Sequence, residues 1–360
     1  MNRTANHSSP KTTVTLVFGC SLLAACIALT VAAAGDVQAQ ADQTFDDGAP
    51  VHIPLTVWQT PSRTYKAAIT VGIGSDKTLP FGFDTGSTGL RVFADADLGA
   101  PQSGVQCSQT PTSVTYGNPA RIIYSGVVCY AQLHFGTFTT PTTVPFAYLT
   151  SASCPSANPH CKIPDLHSRK AMGSYGVFGA GLTGTIGREG SVPNPILTLP
   201  GRLGSIYSIV LTHTGGELVL GGTSPPSAER FKLAPGKLVG EKWELGQACL
   251  FVDGRATNTC LTISFDTGNG VPWLHSVSSD SVPQANGIVI PSTRVGFAPV
   301  GYSEAAISLV AGGSFSDKIK VVEIPEKPPI ANVSIQVFFD RAVTYDNTAG
   351  EINFSVAQHV

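Results

Sequence analysis

Residues 77–93 read KTLPFGFDTGSTGLRVF, and the fold turns on how this stretch is understood. An apolar strand, Leu79-Pro80-Phe81-Gly82-Phe83, stops at Asp84 and is followed by Thr85-Gly86-Ser87. A carboxylate ending a buried strand is costly unless hydrogen-bond donors surround it. Asp-Thr-Gly-Ser supplies them as two hydroxyls and as backbone N–H groups that a glycine lets approach closely. Alone, the tetrapeptide is equally good turn chemistry. Its recurrence makes it informative. Leu261-Thr262-Ile263-Ser264-Phe265 is a second apolar strand, ending in Asp266-Thr267-Gly268-Asn269-Gly270. The two acids stand 182 residues apart, about the length of one small domain. Two copies predict two similar lobes, each bringing one carboxylate to a shared cleft.

A chain of 360 residues is long enough for two domains with real cores. Charged residues make up only 13% and the net charge is −2, which argues against nucleic-acid or acidic-membrane partners. With 38 Gly, 26 Pro and many Thr and Val, short strands and turns are favoured over long helices. No apolar stripe of helical period persists for more than a few turns. The body is expected to be all-β with short helices.

Residues 1–41 read as a targeting segment. Arg3 and Lys11 precede an apolar run from Val14 to Ala34, and small residues follow around Ala39 and Ala41, the layout of a cleaved secretory signal. Leu23-Ala24-Ala25-Cys26 also resembles a lipobox with an acylated Cys26, and the run is long enough for an uncleaved anchor. All three readings place the body outside the cytoplasm, secreted or in the cell envelope, with membrane attachment only through this segment. Residues 42–64 form a lead-in, in which Val51 to Trp58 suits an extra strand.

Six cysteines remain after the targeting segment: Cys107, Cys129, Cys154, Cys161, Cys249 and Cys260. Six cysteines allow about 15 pairings, and sequence does not select among them. Closure of the shortest loops pairs Cys107 with Cys129, Cys154 with Cys161, and Cys249 with Cys260.

Tyr116-Gly117-Asn118-Pro119 is a turn between two strand-like flanks, hence a β-hairpin. Other motifs carry less. Cys154, His160, Cys161 and His167 are metal-ligating residue types, but their spacing suits a disulfide with bystander histidines better than zinc. Gly72 to Thr78 lacks the glycine that precedes lysine in a phosphate loop. Gly301 to Ala305 lacks the last glycine of a nucleophile elbow. Asn332-Val333-Ser334 and Asn353-Phe354-Ser355 fit glycosylation sequons, yet both fall in apparent strands.

Taken together, these pieces resemble the pepsin-like aspartic peptidases over most of the chain after residue 64. Tyr65 to Val92 is similar to that family's opening strand, turn and first catalytic loop. Val114-Thr115-Tyr116-Gly117 resembles its flap, and Gly176 to Gly181 its hydrophobic-hydrophobic-Gly support. Ser205 to Leu211 and Gly216 to Gly222 resemble the end of the first lobe, and Thr344-Tyr345-Asp346 with Glu351 to Phe354 the last strands. The loop Asp-Thr-Gly-Ser-Thr-Gly-Leu is closest to bacterial members, mycobacterial surface ones included.

The resemblance implies a bilobal fold with lobes at 65–224 and 225–360 and a cleft between them. It implies a monomeric endopeptidase acting on polypeptides, with Asp84 and Asp266 catalytic and neither metal nor cofactor required. Thr85, Gly86 and Ser87, with Thr267, Gly268 and Asn269, would support the two acids, and Tyr116 and Gly117 would close over substrate. A bridge between Cys249 and Cys260 would staple the hairpin leading to Asp266, as in many members. The family's longer, basic prosegment has no counterpart before Tyr65.

Three positions depart from the pattern. Asn269 replaces a Ser or Thr beside the second acid. Arg91 replaces a tryptophan that contacts the flap tyrosine, so Tyr116 is expected to be held differently or not at all. Ser334 replaces the glycine of the second support segment. These departures keep a rival reading open, that of a pepsin-fold binding protein of the envelope with its turnover lost.

Overall fold

Strand alternation aims the two aspartates. The computed structural model describes residues 49–360, apart from 76, 97, 99–103, 117–121, 157, 164–165, 167–172, 184–190, 225, 227–228, 238–241, 313–316, 323–327 and 357–360. The targeting segment, Gly117 and His167 lie outside the described residues. In the strand Lys77–Asp84, the side chains of Leu79, Phe81 and Phe83 are buried, while Pro80, Gly82 and Asp84 are partly exposed. Side chains alternate faces along a strand, so Phe83 in the core forces Asp84 to the other face. The approach to Asp266 repeats the pattern, with Leu261, Ile263 and Phe265 buried and Thr262, Ser264 and Asp266 partly exposed.

The sheets repeat as well. Lys77–Asp84 runs parallel to Gly176–Ala180, with Phe83 opposite Phe178 and Asp84 opposite Gly179. Gly176–Ala180 then pairs antiparallel with Thr88–Phe93, so a strand from far along the chain separates the aspartate strand from its successor. Only glycine fits at 179, because a Cβ there would sit 2.6 Å from the Thr88 backbone. In a second, nine-stranded sheet, Arg255–Ser264 runs parallel to Ile330–Asn332, with Ser264 opposite Asn332. Ile330–Asn332 in turn pairs antiparallel with Trp273–His275. Both aspartate loops thus leave a strand that is braced by a parallel neighbour.

The larger sheet continues on its other side through Tyr65–Ile73, Val51–Gln59, Gly215–Leu220 and Ile206–Thr212. It is completed by Arg341–Asp346, Glu351–Val356 and Glu229–Lys232 from late in the chain. Val51–Gln59 is the extra strand expected in the lead-in, with Ile53, Leu55 and Val57 buried on one face. Beneath the loops, Phe83 stacks on Phe178 with centroids 6.0 Å apart, while Phe231, Phe265 and Phe354 pack edge to face. Between these clusters Tyr207 and Tyr345 stack in parallel with centroids 5.0 Å apart. The Tyr345 hydroxyl donates to the Phe265 carbonyl at 3.2 Å, and that of Tyr207 donates to the Ala180 carbonyl. Each tyrosine therefore holds a backbone carbonyl next to one aspartate loop.

The cysteines close locally. Cys107–Cys129 and Cys249–Cys260 join residues directly opposite on paired strands, and Cys154–Cys161 closes a short loop. The sulphurs of Cys154 and Cys161 are thereby spoken for, which removes the thiolates a zinc site would use. Asn332 and Asn353 are 7% and 1% exposed, so neither sequon is open to a glycan.

Cys249 and Cys260 are 11 residues apart, and closing a loop of that size removes about 2–3 kcal/mol of unfolded-chain entropy. Replacing both by Ser should lower unfolding free energy by that order, read as an earlier urea midpoint.

Candidate functional site

The two Asp-Thr-Gly loops meet in a reciprocal exchange. Thr85 Oγ1 donates to the Phe265 carbonyl at 2.8 Å, and Thr267 Oγ1 donates to the Phe83 carbonyl at 2.8 Å. Each hydroxyl also accepts the other threonine's backbone N–H, at 3.1 and 3.0 Å. Both threonines are buried, so these four bonds are made out of water's reach. The glycines that follow let the loops close up. A Cβ on Gly86 would lie 2.3 Å from Asp266 Cγ, and one on Gly268 would lie 2.5 Å from Asp84 Oδ1. Each carboxyl therefore packs against the other loop's glycine, and the two acids face each other.

Their supports differ. Asp84 Oδ1 accepts the Gly86 N–H at 2.8 Å, and Oδ2 accepts the Ser87 hydroxyl at 2.6 Å. Asp266 Oδ1 accepts the Gly268 and Asn269 N–H groups at 2.8 and 3.1 Å. The Asn269 side chain turns away from the acid to the Val271 carbonyl and to Asn332 Oδ1. The donor to Asp266 Oδ2 is Asn332, at 2.6 Å. Sequence reading placed Asn332 in a support strand and gave it no role at the acids. Only the parallel register, which sets it opposite Ser264, brings it there.

Burial, the Asp84 charge and a hydrogen bond with Asp84 push the Asp266 carboxyl up to about 8, against the pull of the Asn332 amide and the Gly268 N–H. Two like charges this close cannot both form easily, so one acid keeps a proton. A carboxyl raised on folding binds its proton more tightly in the native state than in the unfolded chain. Its contribution to stability is therefore full below the ordinary value of 3.8 and lost as pH rises toward about 8.

Tyr116 ends the strand Gln106–Tyr116 and reaches the same region. With Trp58, Lys66, Phe83, Asp84 and Val177 it lines a cavity of about 170 Å³. The Arg91 guanidinium lies 5.4 Å from the Tyr116 ring centroid, a cation–π contact in place of the tryptophan that the resemblance led one to expect. Arg91 also donates to Ser87 Oγ and to the Gly89 carbonyl, which connects Tyr116 to the Asp84 brace. Burial, with a smaller push from the Asp84 charge, raises the Tyr116 phenol to about 12, and Arg91 and Ser87 pull the other way. Those two polar groups are near the phenol, but among the described residues its hydroxyl has no partner at hydrogen-bond distance. Lys66, a second residue that sequence reading passed over, donates its ammonium to the Gly268 carbonyl. Nothing in the sequence around Lys66 marks it out, because its partner lies 202 residues away.

Thr85→Val keeps the volume but removes a donor and an acceptor, and strands the Thr267 N–H. It should cost about 2–4 kcal/mol in denaturant unfolding. Thr85→Ser, which keeps the hydroxyl, should recover most of that loss.

No family model matches this chain, and no curated protein matches it in sequence. In three dimensions it is similar to the aspartic proteinase from Irpex lacteus, with a TM-score of 0.56 at 17% sequence identity. The match covers 86% of this chain and 98% of that one. At such low identity the likeness speaks for the fold, and the fold is the bilobal one of pepsin-like aspartic proteinases.

Proposed function

We propose that this chain is an aspartic endopeptidase, cleaving polypeptides with a water activated between Asp84 and Asp266. The reading is carried by the reciprocal packing of the two acids, each set against the other loop's glycine. Like-charge repulsion then leaves one proton on the pair, the argument that governs the aspartic-peptidase dyad generally. One carboxyl of the pair holds that proton and the other carries the charge. The charged carboxyl takes a proton from the water as it attacks the scissile carbonyl, and the neutral one gives its own to the developing oxyanion. This chemistry needs no metal or cofactor. The cavity walls formed by Trp58, Phe83, Tyr116 and Val177 favour an apolar substrate side chain beside the bond cut. Three disulfides support work outside the cytoplasm, after removal or lipidation of the N-terminal segment. The Asp-Thr-Gly-Ser-Thr-Gly-Leu loop favours the bacterial branch of the family.

Asp84→Asn and Asp266→Asn should each lose about a thousandfold or more in kcat on a denatured protein substrate, and the double mutant hardly more, because the pair acts as a unit. The wild-type pH–rate profile should hold in acid and fall as the pair gives up its shared proton. Chelators and serine- or thiol-directed reagents should have no effect. Thermal melts supply a second readout: wild-type stability should decline from pH 4 toward pH 8, and Asp266→Asn should flatten that slope. Undiminished activity in a well-folded Asp84→Asn would sink the proposal, and absence of turnover in the wild type would point to a binding protein.

The flap contact gives a separate expectation. Arg91→Leu removes a cation–π contact of about 1 kcal/mol, so kcat/KM should fall about fivefold. Arg91→Lys keeps the charge without the planar stack and should rescue only part of that loss.

A further inference from the structure

The two half-sites can be compared position by position through their registers. In the first, Val177 stands opposite Gly82, two residues before Asp84. In the second, Asn332 stands opposite Ser264, two residues before Asp266. A buried apolar side chain in one half is thus replaced by a buried amide in the other, at 8% and 7% exposure. A buried amide is costly unless every polar atom is satisfied. Here each one is. Asn332 Oδ1 accepts from Asn269 Nδ2 at 2.9 Å and from the Ser334 N–H at 3.1 Å, and Nδ2 donates to Asp266 Oδ2 at 2.6 Å.

That network also settles which way the amide faces. Turned over, Asn332 would set its oxygen against a carboxylate oxygen and its NH₂ against two donors. The replacement at 334 takes part. Ser334 adopts φ of +50°, a left-handed conformation that side-chain-bearing residues rarely use, and it is this residue whose N–H reaches Asn332 Oδ1. The two departures from the family pattern at 269 and 334 therefore converge on one side chain.

We propose that Asn332 is a positioning residue of the aspartate pair: an amide donor, locked by Asn269 and the Ser334 N–H, that holds the outer oxygen of Asp266 as the Ser87 hydroxyl holds that of Asp84. The inference rests on the peptidase reading for its catalytic meaning, but its geometry does not. A hydroxyl can rotate between donating and accepting, whereas this amide can only donate. It therefore favours the charged form of Asp266 and opposes burial and the Asp84 charge. The ionisable groups around Asp266 are Asp84 across the pair, Tyr345 beneath it and Lys66 at the Gly268 carbonyl.

The test is a carboxyl ¹³C NMR titration of aspartate-labelled protein without substrate, with Asp84 and Asp266 assigned from their Asn mutants. A lost hydrogen bond to a charged group corresponds to a shift of about one pH unit. Asn332→Ala should move the Asp266 titration up by that amount, and Asn269→Ala should move it the same way by less. On a cleaved substrate, kcat should fall about tenfold with KM little changed, and the basic limb of the rate profile should move with the NMR titration. An unmoved Asp266 titration in folded Asn332→Ala would reduce Asn332 to a packing residue. If that variant does not fold, Asn269→Ala decides, and an unmoved titration there overturns the proposal. Because no turnover enters the NMR measurement, an inactive wild type would defeat the peptidase reading while leaving this one open to the same titration.

Discussion

The exchange between Thr85 and Thr267 is the constraint on which the site depends. Two hydroxyls each donate to a carbonyl and accept an N–H from the opposite loop, all within 3.1 Å. Neither loop satisfies its backbone without the other, so each acid's position is fixed by residues about 180 positions away. The glycines at 86 and 268 follow from this. With the loops held that close, no side chain fits between one backbone and the opposing carboxyl. The raised Asp266 carboxyl is a further consequence, because burial and a facing charge both come from the same close approach.

Beneath the exchange, aromatic packing carries the load on both sides. The stacked Tyr207 and Tyr345 hold the carbonyls of Ala180 and Phe265, one beside each loop. Their hydroxyls spend the hydrogen-bonding capacity that a buried phenol must satisfy. Tyr345 lies on a strand late in the chain that pairs with Ile206–Thr212. The C-terminal strands thereby hold the floor of the site in place.

The halves are alike in backbone and unlike in chemistry. The first acid is braced from within its own loop by Ser87, which is tied through Arg91 to Tyr116. The second is braced from a neighbouring strand by Asn332. Asn269, sitting where Ser87 does in the other loop, acts on that brace and not on the acid. Two solutions to one problem, fixing the outer oxygen of a buried carboxylate, can coexist because the shared backbone supplies the remaining donors in both halves.

Much of this was legible in the sequence. The repeated strand-then-Asp-Thr-Gly pattern identified the two acids, since period-two alternation with Phe83 and Phe265 in the core aims the next residue at the opposite face. The disulfides followed from the shortest loops, and the hairpin ending at Tyr116 from turn chemistry between strands. Local pattern determines such features because it acts over a few residues. Asn332, Lys66 and the Arg91–Tyr116 contact were not legible in this way. Asn332 looked like part of a support strand or a stray sequon, and became a partner of Asp266 only when a parallel register set it opposite Ser264. Lys66 sits in an ordinary strand and finds its acceptor across the cleft. Sequence by itself determined which residues could do acid–base work and which way their strands face. Tertiary structure alone decided what holds the second acid and its loop, because a hydrogen bond is set by distance in space, and Asn332 and Lys66 stand 66 and 202 residues along the chain from the Asp266 carboxyl and the Gly268 carbonyl they reach.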